Sequence, residues 1–450
     1  MVRKEELVQM KNTKWVTAEE AVKAIKSKDE IVLANFCAEP RHLPMALVNR
    51  AKELEGCRIF HLTPFGPFQQ KMVEPGMEKH IRIATPFCGR RKAVRQLLRE
   101  GRADFYAISF GNYPKLLREG DFKSDVLMLT VSPPDKNGYC SLGVSVDYIF
   151  AALERPCRLV MAEINPNMPV TYGRSFIHVS DIDYAVEVND KIFELEQFTV
   201  TDIERRIGEN VASLVEDGST IQIGYGAISE AAILFLKDKK DLGMHGEMVP
   251  EHVVPLVESG VLNNSKKSIH KGKIVCTFHG GTHKLYDWLD HNALIEMQPV
   301  DYCNNPWVIA RNSKMVAINA ALQVDLYGNI YADVLGLEDQ YTGSGGQVDF
   351  ALGCAISDDA KFITTLSATT GDEKYSRIVL HPTRTDNPCA PQIPMVSRYM
   401  ADYVVTEYGV AALKGKNNIE RAKSLIKLAH PKFRDGLAEQ AKKAGLLNAK

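Results

Sequence analysis

Glu20-Ala-Val-Lys-Ala-Ile-Lys-Ser-Lys-Asp-Glu-Ile-Val-Leu-Ala-Asn-Phe-Cys-Ala-Glu-Pro40 can be laid without gaps over Asn210-Val-Ala-Ser-Leu-Val-Glu-Asp-Gly-Ser-Thr-Ile-Gln-Ile-Gly-Tyr-Gly-Ala-Ile-Ser-Glu230. Both stretches read as a helix, a polar turn, a strand and then a loop of small residues. In the first, Thr17 and Glu20 form a T-x-x-E capping box ahead of apolar Ala21, Val22 and Ile25, and Ile31-Val-Leu-Ala34 has the apolar run of a buried strand. Identities between the stretches are few. The match is one of pattern: either two related α/β halves, or helix–strand units that recur in this class of fold.

The alternation extends outward. Helical signals at Leu43 to Leu54 precede an apolar run at Arg58 to Leu62, and Val126 to Thr130 and Leu159 to Ile164 add buried-strand candidates. Beyond residue 201 come a helix from Ser229 to Lys237, apolar runs at Lys273 to Phe278, Met315 to Leu322, Phe362 to Leu366 and Tyr403 to Thr406, and helices at Ile419 to Ala429 and Pro431 to Leu447. Strands alternating with helices predict an α/β fold with mainly parallel sheets covered on both faces. The expected division is an N-terminal domain over 1–200 and a C-terminal domain over 201–450.

The 450 residues accommodate two or three domains, and the 45% hydrophobic and 25% charged content excludes disordered, collagen-like and coiled-coil readings. Lys plus Arg number 55 against 56 Asp plus Glu, a formal charge of -1, which argues against nucleic acid or an anionic membrane surface as partner. The nine cysteines are scattered and form no C-x-x-C pair, so neither a disulfide framework nor a zinc knuckle is expected. The opening Met1 to Trp15 is polar and contains acids, unlike a signal or transit peptide, and no stretch reaches the roughly 18 apolar residues of a membrane span. A soluble, cytoplasmic protein is expected.

Three loops carry candidate chemistry. Ile221-Gln-Ile-Gly-Tyr-Gly-Ala-Ile-Ser229 follows a strand and opens a helix, so glycines and free N–H groups at the helix start suit a phosphate or carboxylate. Its G-x-G-x-x-S lacks the third glycine of the dinucleotide fingerprint, and a structural tight turn is the plainer reading. Glu247, in Gly243-Met-His-Gly-Glu-Met248, stands 21 residues after Gly226. That is about where a ribose-binding acid would lie. The loop-like surroundings favour instead a solvated carboxylate or a nucleophile. In Gly343-Ser-Gly-Gly-Gln-Val-Asp-Phe350, the N–H groups of Gly345, Gly346 and Gln347 can form an oxyanion nest, with Val348 and Phe350 as core anchors; the alternative is a linker turn.

Other motifs carry less. His279-Gly-Gly-Thr-His283 has i, i+4 histidines, but its glycines disfavour the helix that would align them and no further ligand completes a zinc set, so no metal is expected. Cys88-Gly-Arg-Arg-Lys-Ala-Val-Arg95 reads as a glycine turn feeding a basic helix, either a phosphate contact or a solvated face. No G-x-S-x-G elbow is present.

Five segments together resemble the acetyl-CoA hydrolase/transferase family, in particular its 4-hydroxybutyrate and butyrate:acetate CoA-transferase branch. They are Val131-Ser-Pro-Pro-Asp-Lys-Asn-Gly-Tyr-Cys-Ser-Leu-Gly-Val-Ser-Val-Asp-Tyr148, Ser175-Phe-Ile-His-Val-Ser-Asp-Ile-Asp183, Ala321-Leu-Gln-Val-Asp-Leu-Tyr-Gly328, Gly345-Gly-Gln-Val-Asp-Phe350 and Val404-Val-Thr-Glu-Tyr-Gly409. The resemblance runs from about residue 20 to residue 435. It implies two related α/β domains of the CoA-transferase (NagB/RpiA-like) fold, with the active site between them. It also implies that Glu247 becomes a glutamyl-CoA thioester, that Gly224, Tyr225, Gly226, Ala227 and Ile228 bind CoA, and that Gly345 and Gly346 contact CoA or an oxyanion. No tightly bound cofactor is implied, CoA being substrate and covalent intermediate. The partners implied are acyl-CoA and short-chain carboxylates, and a homodimer or higher homo-oligomer is expected. The sequence departs from the family pattern at Gly246, where relatives often have Thr, and at Ser229, where they often have Pro. The His279 to His283 stretch is also less usual and could alter the acyl pocket.

On this resemblance the expected reaction moves CoA between 4-hydroxybutyryl-CoA or butyryl-CoA and acetate, in ping-pong fashion. The nearest alternative is a short-chain acyl-CoA hydrolase. More distant ones are an NAD-dependent dehydrogenase with Glu247 on ribose and a non-catalytic acyl-CoA sensor.

Overall fold

The computed structural model describes residues 13–89, 92–154, 157–196, 198–334, 340–382 and 393–448. The opening residues to 12, Arg90 and Arg91 of the basic motif, and Cys389 lie outside them. The chain forms two compact units: Met1–Glu196 with Val275–Cys303, and Gln197–Ile274 with Asn304–Lys450.

The capping box foreseen at Thr17 is present: Glu20 N donates to Thr17 Oγ1 at 3.2 Å and Thr17 N donates to Glu20 Oε2 at 2.9 Å. It starts a short helix, Ala18–Ala21, that tightens into a 3₁₀ turn over Val22–Ala24 before strand Glu30–Leu33. That strand is central in an eight-stranded sheet whose order is Lys14–Trp15, Tyr184–Glu187, Leu159–Ile164, Val126–Val131, Glu30–Leu33, Cys57–Phe60, Ile81–Thr85 and Ala103–Phe105. Every pairing in it is parallel. Helices on its faces explain why Val126–Val131 and Leu159–Ile164 are buried at every position rather than alternately.

The second unit repeats the plan with fewer strands. A helix over Asp202–Ala212, capped by Thr201 and Glu204, leads into strand Thr220–Ile223. The sheet runs Gly243–Met244, Thr220–Ile223, Met315–Ala320, Lys361–Thr365, Tyr403–Thr406 and Gly409–Ala412, parallel except for the final hairpin. Gly208 lets this helix close on Ala227–Leu234, since a Cβ there would lie 2.6 Å from the Ala231 carbonyl carbon. In both sheets the strand that follows the first helix has its sequence successor on one edge and a later strand on the other. The pattern match at Glu20–Pro40 and Asn210–Glu230 therefore falls on topologically equivalent strands, and the mainly parallel α/β expectation is met.

The units do not divide the chain at a single point. Residues 275–303, which the sequence reading puts with the second half, are grouped with the first. The backbone explains the grouping: Val146 N donates to Thr277 O at 3.0 Å, His279 N to Val144 O at 2.8 Å and Val300 N to Asp147 O at 3.0 Å. Hydropathy shows that Lys273 to Phe278 is apolar but not which unit it joins.

The first unit's helix His42–Asn49 has no side-chain cap of its own. The carboxylate of Glu163, 2% exposed on strand Leu159–Ile164, takes that place, accepting from Arg41 N at 2.9 Å, His42 N at 2.7 Å and Leu43 N at 2.8 Å. Glu163→Ala should therefore lower the unfolding free energy by about 3 kcal/mol and Glu163→Gln by less, read from urea denaturation midpoints, because orphaned buried N–H groups are costly.

Candidate active site

Thr220–Ile223 hydrogen-bonds to Gly243–Met244 on one edge and Met315–Ala320 on the other, with Ile223 beside Ile318. Successive connections leave it in opposite directions, which makes it the topological switch point of this sheet, where ligand sites form beyond the carboxyl ends of strands. Two of the three sequence-derived loops leave from this end.

The Gly224–Ile228 loop bridges the strand to helix Ala227–Leu234. Gly226 has φ +143°, a conformation side chains avoid, and a Cβ on Gly224 or Gly226 would meet nothing within 4 Å. The loop backbone is therefore open to approach. Tyr225 is 41% exposed and packs its ring 4.7 Å from that of Phe198.

The His245-Gly-Glu247 loop leaves the neighbouring strand, and its base is tied down by a buried lysine. Lys267 Nζ donates to Met244 O and to Lys273 O, each at 2.8 Å. Gly246 lies against strand Thr220–Ile223, its Cβ position 3.6 Å from Gln222 Cγ. Glu247 is half-buried, and its Oε2 accepts from Asn304 Nδ2 at 2.9 Å. The same nitrogen reaches Asp349 Oδ2 at 3.2 Å, and a backbone hydrogen bond from Gly346 also meets Glu247. Burial pushes the Glu247 carboxyl up to about 7; the Asn304 bond opposes that rise, the Asp349 charge adds to it and the Gly346 bond opposes it.

The glycine-rich loop thus meets Glu247 directly. Gly345 has φ +50° and Gly346 caps helix Gln347–Ile356. A Cβ on Gly346 would overlap both Glu247 Oε2 and Asn304 Nδ2, so any side chain there would push the two apart. Phe350 is fully buried and Val348 partly so, as core anchors require. One expectation fails: Gln347 N is engaged in a turn to Ser344 O at 3.2 Å and does not extend the nest.

Asn304, and the bridge its amide makes from Glu247 to Asp349, are absent from the sequence reading. Asn304-Asn-Pro306 carries an ordinary helix-start signal, realised when Asn305 Oδ1 accepts from Trp307 N at 2.9 Å; nothing marks its neighbour as a partner of Glu247. The histidine pair separates as the glycines suggest. His279 is fully buried on strand Phe278–Gly280, 3.2 Å from Cys276 Sγ, whereas His283 starts a helix beside Glu194. Among the described residues no cluster of three or more His, Cys, Asp or Glu could hold a metal, and no helix is long and apolar enough to cross a membrane.

Buried carboxylates in the first unit are differently placed. Glu39 accepts from Phe65 N and Gly66 N, both at 2.7 Å, and faces His61 Nε2 at 2.9 Å. Asp147 is pushed up to about 6 by burial, against hydrogen bonds from Ser145, Tyr148 N and Asn35. Both hold loops.

Fold and site together describe an α/β protein with two parallel-sheet units and a donor-held carboxylate at a sheet switch point. Residues 2–195 match the acetyl-CoA hydrolase/transferase N-terminal domain and residues 281–441 its C-terminal domain. The chain is 46% identical to the 4-hydroxybutyrate coenzyme A transferase of Clostridium kluyveri, over 96% of this chain and 97% of that protein. It is 33% identical to the butyryl-CoA:acetate CoA-transferase of Anaerostipes caccae, over 96% of each. The crystal structure of 4-hydroxybutyrate CoA-transferase from Porphyromonas gingivalis superposes with TM-score 0.82 at 34% identity, covering 98% of this chain and 100% of that one. The chain belongs to the acetyl-CoA hydrolase/transferase family, and its enzyme class is that of the CoA-transferases. The dehydrogenase reading falls with that membership, and the transferase names of these relatives do not favour the hydrolase.

Gly346→Ala provides a direct check on this packing. The added methyl displaces Glu247 and Asn304 from each other, and turnover should fall at least about 100-fold while the thermal midpoint moves little, as activity and differential scanning measurements would read.

Proposed function

We propose that this protein moves CoA between a short-chain acyl-CoA, 4-hydroxybutyryl-CoA or butyryl-CoA, and acetate, through a thioester on Glu247. The observation that carries the reading is the Glu247 carboxylate itself: raised to about 7 and held by the Asn304 amide and the Gly346 backbone at the carboxyl end of the switch-point strand. A carboxylate with that balance is ionised enough at neutral pH to attack and more basic than an exposed glutamate.

Glu247 attacks the acyl-CoA carbonyl and expels CoA thiolate, leaving a mixed anhydride. The thiolate attacks the glutamyl carbonyl, releases the carboxylic acid as its anion and forms glutamyl-CoA. An incoming carboxylate reverses both steps, so thioester energy is conserved and no free water enters the balance. The tetrahedral intermediate at the glutamyl carbonyl develops its oxyanion on the Glu247 oxygen that the Asn304 amide and the Gly346 backbone already hold. The open Gly224–Ile228 loop, at the start of helix Ala227–Leu234, suits the phosphates of CoA, and Gly346 leaves the space beside the Glu247 carboxyl free of a side chain. Asn304 Oδ1 and Gln347 Nε2 are buried without hydrogen-bond partners among the described residues, and contact with a polar substrate would satisfy them. CoA is thus substrate and covalent intermediate with no resident cofactor. The same reading carries an N-terminal and a C-terminal CoA-transferase domain, the second bearing Glu247 and with residues 275–303 grouped with the first, together with a cytoplasmic location and a homodimer or higher homo-oligomer.

Intact-protein mass spectrometry after mixing with butyryl-CoA alone tests the reading. A species heavier by CoA minus water, discharged by acetate and missing from Glu247→Gln, is expected; free CoA accumulating without an adduct, at the same rate in Glu247→Gln, would overturn it. The rate of adduct formation should also rise with pH along an acid limb centred near 7, because only the ionised Glu247 attacks; stopped-flow mixing across that range measures it.

A further inference from the structure

Asn304 is fully buried, and its amide is used asymmetrically. Nδ2 stands 2.9 Å from Glu247 Oε2 and 3.2 Å from Asp349 Oδ2, whereas Oδ1 at the other end accepts no hydrogen bond from the described residues. One amide nitrogen carries two N–H groups, and here each has its own carboxylate. Rotating the amide by half a turn would set its oxygen against both acids. Asp349 is 5% exposed in the first turn of helix Gln347–Ile356, where an anion is favoured by the helix end.

We propose that Asp349 is a positioning residue which, by holding the second N–H of the Asn304 amide, keeps the first aimed at the Glu247 carboxyl group throughout the catalytic cycle. The proposal rests on Glu247 as the residue that carries CoA. Once Glu247 is acylated or thioesterified it has no charge, and its hold on the amide weakens; Asp349 is not consumed and retains its grip. The donor is then in place when the next nucleophile attacks the glutamyl carbonyl and charge develops on its oxygen. Of the groups that act on Glu247, Asn304 and Gly346 are neutral and Asp349 is the charged one; His245 lies buried on the same loop. Asp349 therefore also opposes charge on free Glu247.

The test compares Asp349→Asn, Asn304→Ala, the double variant and Glu247→Gln in the full chain, with butyryl-CoA and acetate from about pH 5 to about pH 9. Asp349→Asn should lower kcat by roughly 10- to 100-fold with KM for butyryl-CoA changed less than about twofold, and should move the acid limb of adduct formation to lower pH. In the Asn304→Ala background the same substitution should change kcat little, since the two act through one amide. An unmoved limb, or losses that multiply in the double variant, would assign Asp349 a purely structural role and overturn the proposal. Asp349→Glu covers a failure of the asparagine variant to fold: it keeps the charge but not the bridge, so the limb should stay in place while kcat falls, and wild-type kcat would sink the idea. Glu247→Gln separates the two levels. If it turns over, the nucleophile reading fails; if it is inactive while Asp349→Asn behaves as wild type, only the role of Asp349 fails.

Discussion

Thr220–Ile223 is hydrogen-bonded in parallel along both edges, and this one constraint decides where the chemistry can lie. Parallel pairing sends the carboxyl ends of Gly243–Met244, Thr220–Ile223 and Met315–Ala320 to the same end of the sheet. The loops that follow the first two strands are then neighbours regardless of their own sequences, and Gly224 and Gly226 leave open space above the backbone of the first. The Glu247 loop lies against Gln222 at Gly246, and Lys267 pins the strand beneath it.

What separates Glu247 from the other buried carboxylates is how its cost is met. Glu163 accepts three backbone N–H groups and Glu39 accepts two beside a histidine, so each is locked into the fold. Glu247 has one side-chain amide and one backbone donor, and a second carboxylate close behind the amide. Burial and Asp349 press toward protonation; Asn304 and Gly346 press toward charge. The outcome lies near neutrality, and a carboxyl group balanced there can both ionise and be esterified without dismantling the structure around it. A group held as firmly as Glu163 could not change its covalent state at similar cost.

The elements legible in the sequence are those whose causes are local. The Thr17 capping box, the apolar runs at Val126 and Leu159 and the glycines at Gly224 and Gly226 each act through neighbours in the chain, and each appears where the pattern places it. Residues 275–303 show the opposite case, because an apolar run fits either unit and only the backbone hydrogen bonds to Val144, Val146 and Asp147 attach it to one. Gln347 likewise could donate to a nest or to a turn, and the turn to Ser344 was settled by the backbone conformation at Gly345 and Gly346.

By itself the sequence determined the α/β class, the small-residue loops and, through a resemblance spread over most of the chain, the family and Glu247 as the candidate nucleophile. These follow from periodicity, backbone freedom and motif, all properties of contiguous residues. Tertiary packing alone made Asn304, 57 positions away, the group that holds Glu247, gave Asp349 a share of its amide, and set the bare backbone of Gly346 against them both. Hydrogen-bond partners across such separations are chosen by how strands order themselves in a sheet, and burial by what packs around them; neither is written in any local stretch of the chain.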